Sequence, residues 1–147
     1  MTRNVSWLVF VSSLATFFLG CGPSTDLQQV EGQRLLEAIS EVRAVSRQGQ
    51  AYREAVARLR GVETTHERVS RIQTMCVEAH EGVFAAEAEA LNARRLLEEQ
   101  GPSARETQES IERGQRLILE AEQKIGRCGA MSTALGVSIG YEGPEER

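Results

Sequence analysis

Three observations make this an all-α chain, expected to form an elongated antiparallel three-helix bundle. Between residues 26 and 128 the only proline is Pro102, and the stretch is dense in Ala, Glu, Arg, Gln and Leu, which favour helix. Apolar residues recur there with the alternating three-four spacing of helices packed along a shared seam. Glycines and a few capping residues punctuate the stretch into three segments.

The first segment, residues 26–60, opens at Thr25 with Gln28 three residues on and closes at Gly61. Its seam is Leu35, Ala38, Val42, Val45, Gly49, Tyr52, Val56 and Leu59. Leu36 and Ile39 widen the stripe enough to touch two partners, and Gly49 marks where the helix is expected to bend or break. The second segment, residues 65–100, opens at Thr64 with Glu67 as a capping-box partner and stops before Gly101. Val69, Ile72, Cys76, Ala79, Val83, Ala86, Ala90, Ala93 and Leu97 form its seam. The third, residues 103–128, opens at Ser103 with Glu106 and fades between Gly126 and Gly129. Its seam is Ala104, Thr107, Ile111, Gly114, Ile118, Ala121, Ile125 and Cys128.

The few residues around Gly101 and Pro102 force the second and third helices antiparallel. Pairing residues whose numbers sum to 204 sets Ala93 against Ile111, Ala90 against Gly114, Ala86 against Ile118, Val83 against Ala121 and Ala79 against Ile125. Small residues then mostly face large ones, as interdigitating layers require. The same register, one of two that differ by about a helical turn, brings Cys76 opposite Cys128. In an oxidising compartment this pair is expected to form a disulfide, contributing about 4 kcal/mol by chain entropy. Reduced, the two thiols would serve as small apolar seam residues.

After Cys128 the chain becomes glycine-rich, with Gly129, Gly136, Gly140 and Gly143. Residues 129–147 are therefore expected to form an irregular tail lying against the bundle or free of it. Val137, Ile139 and Tyr141 alternate as a short strand would, one that could add to a partner's sheet edge.

The N-terminal stretch carries one positive charge at Arg3, an apolar run over residues 5–19 broken by Ser12 and Ser13, and small Gly20 before Cys21. The run falls short of the roughly twenty residues that span a bilayer, so residues 1–20 read as a removable export signal. Phe18-Leu19-Gly20-Cys21 resembles the lipobox of bacterial lipoproteins, with Phe18 where that family prefers leucine. The resemblance covers only this end of the chain. It implies cleavage before Cys21, acylation of Cys21, and a tether over residues 21–25 holding the helices on a membrane. Gly22, rather than aspartate, after the lipidated cysteine implies the outer membrane, facing the periplasm, by the sorting rule of enteric bacteria.

Without residues 1–20 the formal charge moves from −4 to −5 through loss of Arg3. Acidic and basic residues are interspersed, which leaves no electrostatic footprint for nucleic acid. Cys76 and His80 lie four apart on one helical face, a spacing that can share a metal, but a disulfide at Cys76 excludes it. Glu63 and His66 have the Glu-x-x-His spacing of carboxylate-bridged di-iron bundles, which need that motif twice. A seam flank for His80 and a polar first-turn role for His66 account for both histidines without a metal. No phosphate loop, nucleophile turn or Cys-x-x-Cys is present. No enzyme is expected, and no cofactor beyond the lipid on Cys21. The expected role is structural or adaptor-like in the cell envelope, through another envelope protein or self-association. The alternative is a small ligand- or metal-binding bundle.

Overall fold

The computed structural model describes residues 23–143, and side chains from residue 26. Residues 1–22, with the export signal and Cys21, and residues 144–147 lie outside the described residues. Among those described the chain is all helical, in the order α1 (Pro23–Ala44), α2 (Gly49–Arg60), α3 (Glu67–Gln100) and α4 (Arg105–Ile139).

Four helices replace the three expected, because the first segment is broken in two. After Ala44 the chain turns through residues 45–48, the Gln48 amide donating to the Ser46 carbonyl at 2.7 Å, and α2 starts at Gly49 with φ +80°. That left-handed backbone suits glycine, which has no Cβ to clash. Having reversed, α2 runs back beside α1, where Arg58 donates to Glu41 at 2.9 Å. It also runs antiparallel to α3, where Arg53 pairs with Glu87 and Arg60 with Glu81. A further reversal at residues 101–104 returns α4 along α3, so the helices alternate up and down.

The first helix also begins earlier than expected. Residues 23–25, assigned to a tether, are its first turn, and Pro23 fits there because the first-turn amides have no helical acceptor. At the other end, the expected irregular tail is helical as far as Ile139. Burial of Ser132, Leu135 and Gly136 offsets the cost of about 1 kcal/mol that each glycine imposes on a helix. Gly136 admits Leu36, whose Cδ1 would sit 3.6 Å from a Cβ there. The helix stops at Gly140, φ +64°, where the Tyr141 amide reaches the Gly136 carbonyl and the Gly140 amide that of Val137, the double bond of a Schellman cap. Val137 and Ile139 are thus helical rather than part of a strand, and Val137 is exposed.

Neither expected capping box forms. α3 starts from His66 and α4 from Ala104, without a side-chain cap on either. Instead Glu31, about two turns into α1, is buried and accepts from Thr65 N–H, Thr65 Oγ1–H and His66 N–H at 2.7–3.0 Å. A carboxylate at a helix N-terminus satisfies orphan amides and complements the dipole. Across the same linker, Gln73 Nε2 donates to the Leu59, Arg60 and Val62 carbonyls at 2.7–3.2 Å. The turn between α2 and α3 is therefore closed from both sides.

The core is uneven along the molecule. Its largest buried side chains, Tyr52, Leu35, Ile39, Leu59, Ile72 and Leu135, all lie where the four helices overlap. The turn into α2 still borders Ala90 and Ile118 across an open cleft; beyond them α3 and α4 continue as a two-helix arm for about 15 Å at 1.5 Å per residue. Mostly small residues close that arm: Ala93, Thr107, Ser110 and Gly114 are buried, together with Leu96. Ala90, Leu97, Ile111 and Ile118, expected in the seam, are exposed, since no third helix covers them.

Burial raises the Glu31 pKa, but the bonds from Thr65 and His66, with the His66 charge, outweigh it and hold the carboxyl below its usual 4.5. As pH falls the unfolded chain takes up the proton first, so the stabilisation is present above about 4.5 and is lost through the lower native value. Glu31→Gln should lower unfolding free energy at pH 7 by about 1.5–3 kcal/mol, read by urea denaturation, with the difference narrowing on acidification. A constant difference down to pH 2 would refute the assignment.

Candidate functional site

Of the chemistry-bearing residues singled out from the sequence, Cys76, His80 and Cys128 come together where α1 ends, beneath the root of the arm. Cys76 and Cys128 are joined there as a disulfide, with Cα atoms 4.9 Å apart. Both residues are buried, at the level the register summing to 204 requires. Neighbouring contacts follow that register to within about one residue. A Cβ on Gly82 would lie 3.2 Å from that of Ala121, and one on Gly114 would lie 3.8 Å from Glu89 Cγ.

His80, one turn beyond Cys76, was expected on the seam's flank but is only 4% exposed. The return of α2 explains this, because it lays Tyr52 over the imidazole with Oη 2.7 Å from Nδ1. Tyr52 is itself 1% exposed, and this is its one side-chain hydrogen bond among the described residues. A phenol accepting from Nδ1–H would leave its own proton without an acceptor, a costly state in a core. Tyr52 is therefore the donor, and the neutral ring carries its proton on Nε2. Edge-on packing continues to Phe84, whose centroid is 5.4 Å from that of Tyr52, and Arg53 lies over the Phe84 ring at 4.6 Å.

Burial holds His80 well below the ordinary histidine range, at about 4, and the positive charges of Arg47 and Arg43 push in the same direction. Tyr52 is shifted up by burial, against an opposing pull from Arg47. The pair is thus a neutral donor and acceptor near pH 7. With Cys76 in the disulfide and Nδ1 bonded to Tyr52, the Cys76–His80 metal reading loses its thiolate and one ring nitrogen. No group of three or more metal-ligating side chains stands together among the described residues. Glu63 is exposed, and His66 stands at the N-cap position of α3 without capping it through its side chain, its Nδ1 buried without a hydrogen-bond partner among the described residues.

Two polar features had no sequence signal. One is the Glu31 clamp, whose partners lie 34 and 35 residues away. The other joins the helices of the arm: Glu89 accepts from Ser110 Oγ at 2.5 Å and from Arg113 and Asn92. These bonds, led by Ser110 and Arg113, lower the Glu89 pKa against a smaller opposing effect of burial.

The class of protein that this fold and site define is an all-α helical bundle with one internal disulfide and a two-helix projection. Compared with protein-family models, curated proteins and solved structures, the chain matches none.

An imidazole titrating near 4 when folded and near 6.5 when unfolded makes the unfolded chain bind more protons between those values. Stability is then full above about 6.5 and falls as pH drops toward 4. The urea midpoint should fall measurably from pH 6.5 to 4.5, mostly above the range of Glu31, and His80→Gln should flatten that slope. An equally steep slope in the variant would show that His80 is not its source.

Proposed function

We propose that this protein is a lipid-anchored component of the bacterial cell envelope, held by an acylated Cys21 on the periplasmic side of the outer membrane. Its role is binding and scaffolding, without a catalytic step, and its arm pairs with the arm of a second copy. The observation that carries the pairing is the uncovered face of the arm. Ala90, Leu97, Ile111 and Ile118 continue the surface that α1 and α2 cover in the body, yet Leu97, Ile111 and Ile118 are 40–46% exposed. Single exposed apolar residues are ordinary, whereas a continuous stripe extending a core seam marks an interface.

A second copy suits this face in size and charge. Large Ile111, Ile118 and Leu97 flank small Ala90, so two arms can interdigitate as a four-helix bundle. On the α3 rim Arg94 is paired with Glu98, and by helical position the α4 rim carries uncharged Gln108 and Gln115. Two such faces meet without like-charge repulsion. Chain direction supports the same arrangement. Glu31 on α1 meets Thr65 just before α3, and Gly32 faces Leu135 and Ile139 near the end of α4. The N-terminal end of α1 is therefore opposite the arm tip at Gly101, and a lipid at Cys21 would point the arm away from the bilayer. Among the described residues no helix is long and apolar enough to cross a membrane, so the reading rests on the lipid.

Cys21→Ser should move the protein from the membrane to the soluble fraction of lysed cells; continued sedimentation with membranes would overturn lipid anchoring. A photo-crosslinking residue at position 108 or 115 in intact cells should give an adduct of twice the chain mass. Ile111→Glu with Ile118→Glu should abolish that adduct while leaving helicity unchanged, as expected at exposed positions. Monomer alone, or an adduct with a different protein, would overturn self-pairing.

A further inference from the structure

A cavity of about 300 Å³ opens between the end of α1 and the middle of α4, walled by Val42, Val45 and Ile125, with Arg43, Arg47 and His80 around it. Two exposed arginines border this place together, and both belong to the minority of arginines that make no ion pair among the described residues. On α2, Arg53, Arg58 and Arg60 each meet a glutamate, but Arg43 and Arg47 form no ion pair among the described residues. Arg43 donates from one terminal nitrogen to Ser132 Oγ at 2.9 Å, which leaves its other donors uncommitted. The C-terminal carbonyls of α1 supply about half a negative charge, so two guanidiniums overcompensate them and leave the cavity positive.

The third polar group is His80. With Nδ1 engaged by Tyr52, its remaining polar group is Nε2–H, a donor on a ring that borders the cavity. Three groups that donate and do not accept thus surround one space with apolar walls. Such a set fits an anion with a hydrocarbon body, because a concave apolar site with a few placed polar groups is the usual form of a small-molecule pocket and guanidinium favours planar carboxylates. At about 30 Å³ for each water-sized group, the space admits roughly ten non-hydrogen atoms.

We propose that this cavity binds a small organic carboxylate, its charged end held by Arg43 and Arg47 beside the His80 imidazole and its hydrocarbon end against Val42, Val45 and Ile125. The site is on the body rather than the arm, so it stands or falls separately from pairing of the arms. It contains the disulfide-linked Cys128 at its edge, and so belongs to the oxidised fold.

The test uses hexanoate, hexanol and inorganic phosphate as probes on the full oxidised chain, followed by NMR of the His80 ring and by thermal melting. Hexanoate should shift the His80 signals saturably and raise the melting temperature, as any ligand of the native state does. It should bind at least tenfold more tightly than either hexanol or phosphate. Arg47→Gln, at a residue with no hydrogen bond or ion pair to lose, should weaken hexanoate about tenfold with no change in melting temperature of the free protein. Arg43→Gln should weaken it similarly, and Ser132→Ala separates that effect from loss of the Arg43–Ser132 bond. Equal binding of hexanol would overturn the role of the arginines, and equal binding of phosphate that of the apolar wall. A hexanoate effect that leaves His80 unmoved would overturn the site itself.

Discussion

Where Cys76 meets Cys128, two helices of 34 and 35 residues are fixed against sliding, and a slip of one turn there would displace every contact between them. The bond holds because the neighbouring levels are small. Gly82 against Ala121 brings the helix axes close enough that an added Cβ would lie 3.2 Å from its neighbour. Small residues alone are a weak choice of register, since an Ala-rich seam packs almost as well one turn along. The disulfide removes that ambiguity and limits the freedom of the unfolded chain across a separation of 52 residues, a contribution of about 4 kcal/mol. Once α3 and α4 are paired in this register, they present one composite face to the remaining helices, and the rest of the fold concerns how much of that face is covered.

The cover is partial because α1 ends at Ala44. Ser46 and Gly49 are poor helix formers, and Gly49 accepts the left-handed backbone that turns the chain. By folding back, α2 places Tyr52, Ala55, Val56 and Leu59 on α3 and α1, concentrating apolar area in the body. A continuous first helix would instead have spread a thinner layer over the length of α3. The body therefore has large side chains, a disulfide and two long-range polar clamps, while the arm has small side chains, local ion pairs such as Arg94–Glu98 and Arg95–Glu99, and the Glu89 cluster. Local opening costs least where buried apolar contacts are fewest, which places the adaptable part of the molecule in the arm.

Much of this was legible in the sequence where the controlling interaction is short-ranged or periodic. Gly101 and Pro102 gave the hairpin, the three-four spacing gave α3 and α4, and matching residue size gave the register that opposes Cys76 to Cys128. The end of α4 was equally periodic, since Cys128, Ser132, Leu135 and Ile139 continue the same spacing and Gly140 supplies the stop. Counting glycines obscured it, because Gly129 and Gly136 suggest a loop unless the close approach of α1 is known. His80 and the stripe from Ala90 to Ile118 were misplaced for one shared reason: the return of α2 buries the first and uncovers the second. Glu31 was beyond any local rule. Thr64 and Glu67 satisfy the capping-box pattern, yet the amides before α3 are taken by a carboxylate from another helix, which brings full charge and three acceptor contacts where a hydroxyl brings one.

The charged groups extend this reasoning to function. Along α2 and the outer face of α3, arginines and glutamates are matched at one helical turn or across a helix pair, so most positive charge there is neutralised within the chain. Arg43 and Arg47 depart from that rule at the one place where the body also carries a cavity and a neutral imidazole. Electrostatics alone would favour a glutamate nearby, because two uncompensated cations beside a buried ring oppose its protonation and repel each other. Both side chains are exposed to water in the free protein, so their charge is solvated there, and an anion in the cavity would meet donors that the fold leaves uncommitted. The arm offers the same reasoning in apolar form, since a stripe that water must cover would be stabilised by a partner. Both features are open in the isolated structure, and each would be completed by a different chemical class of contact.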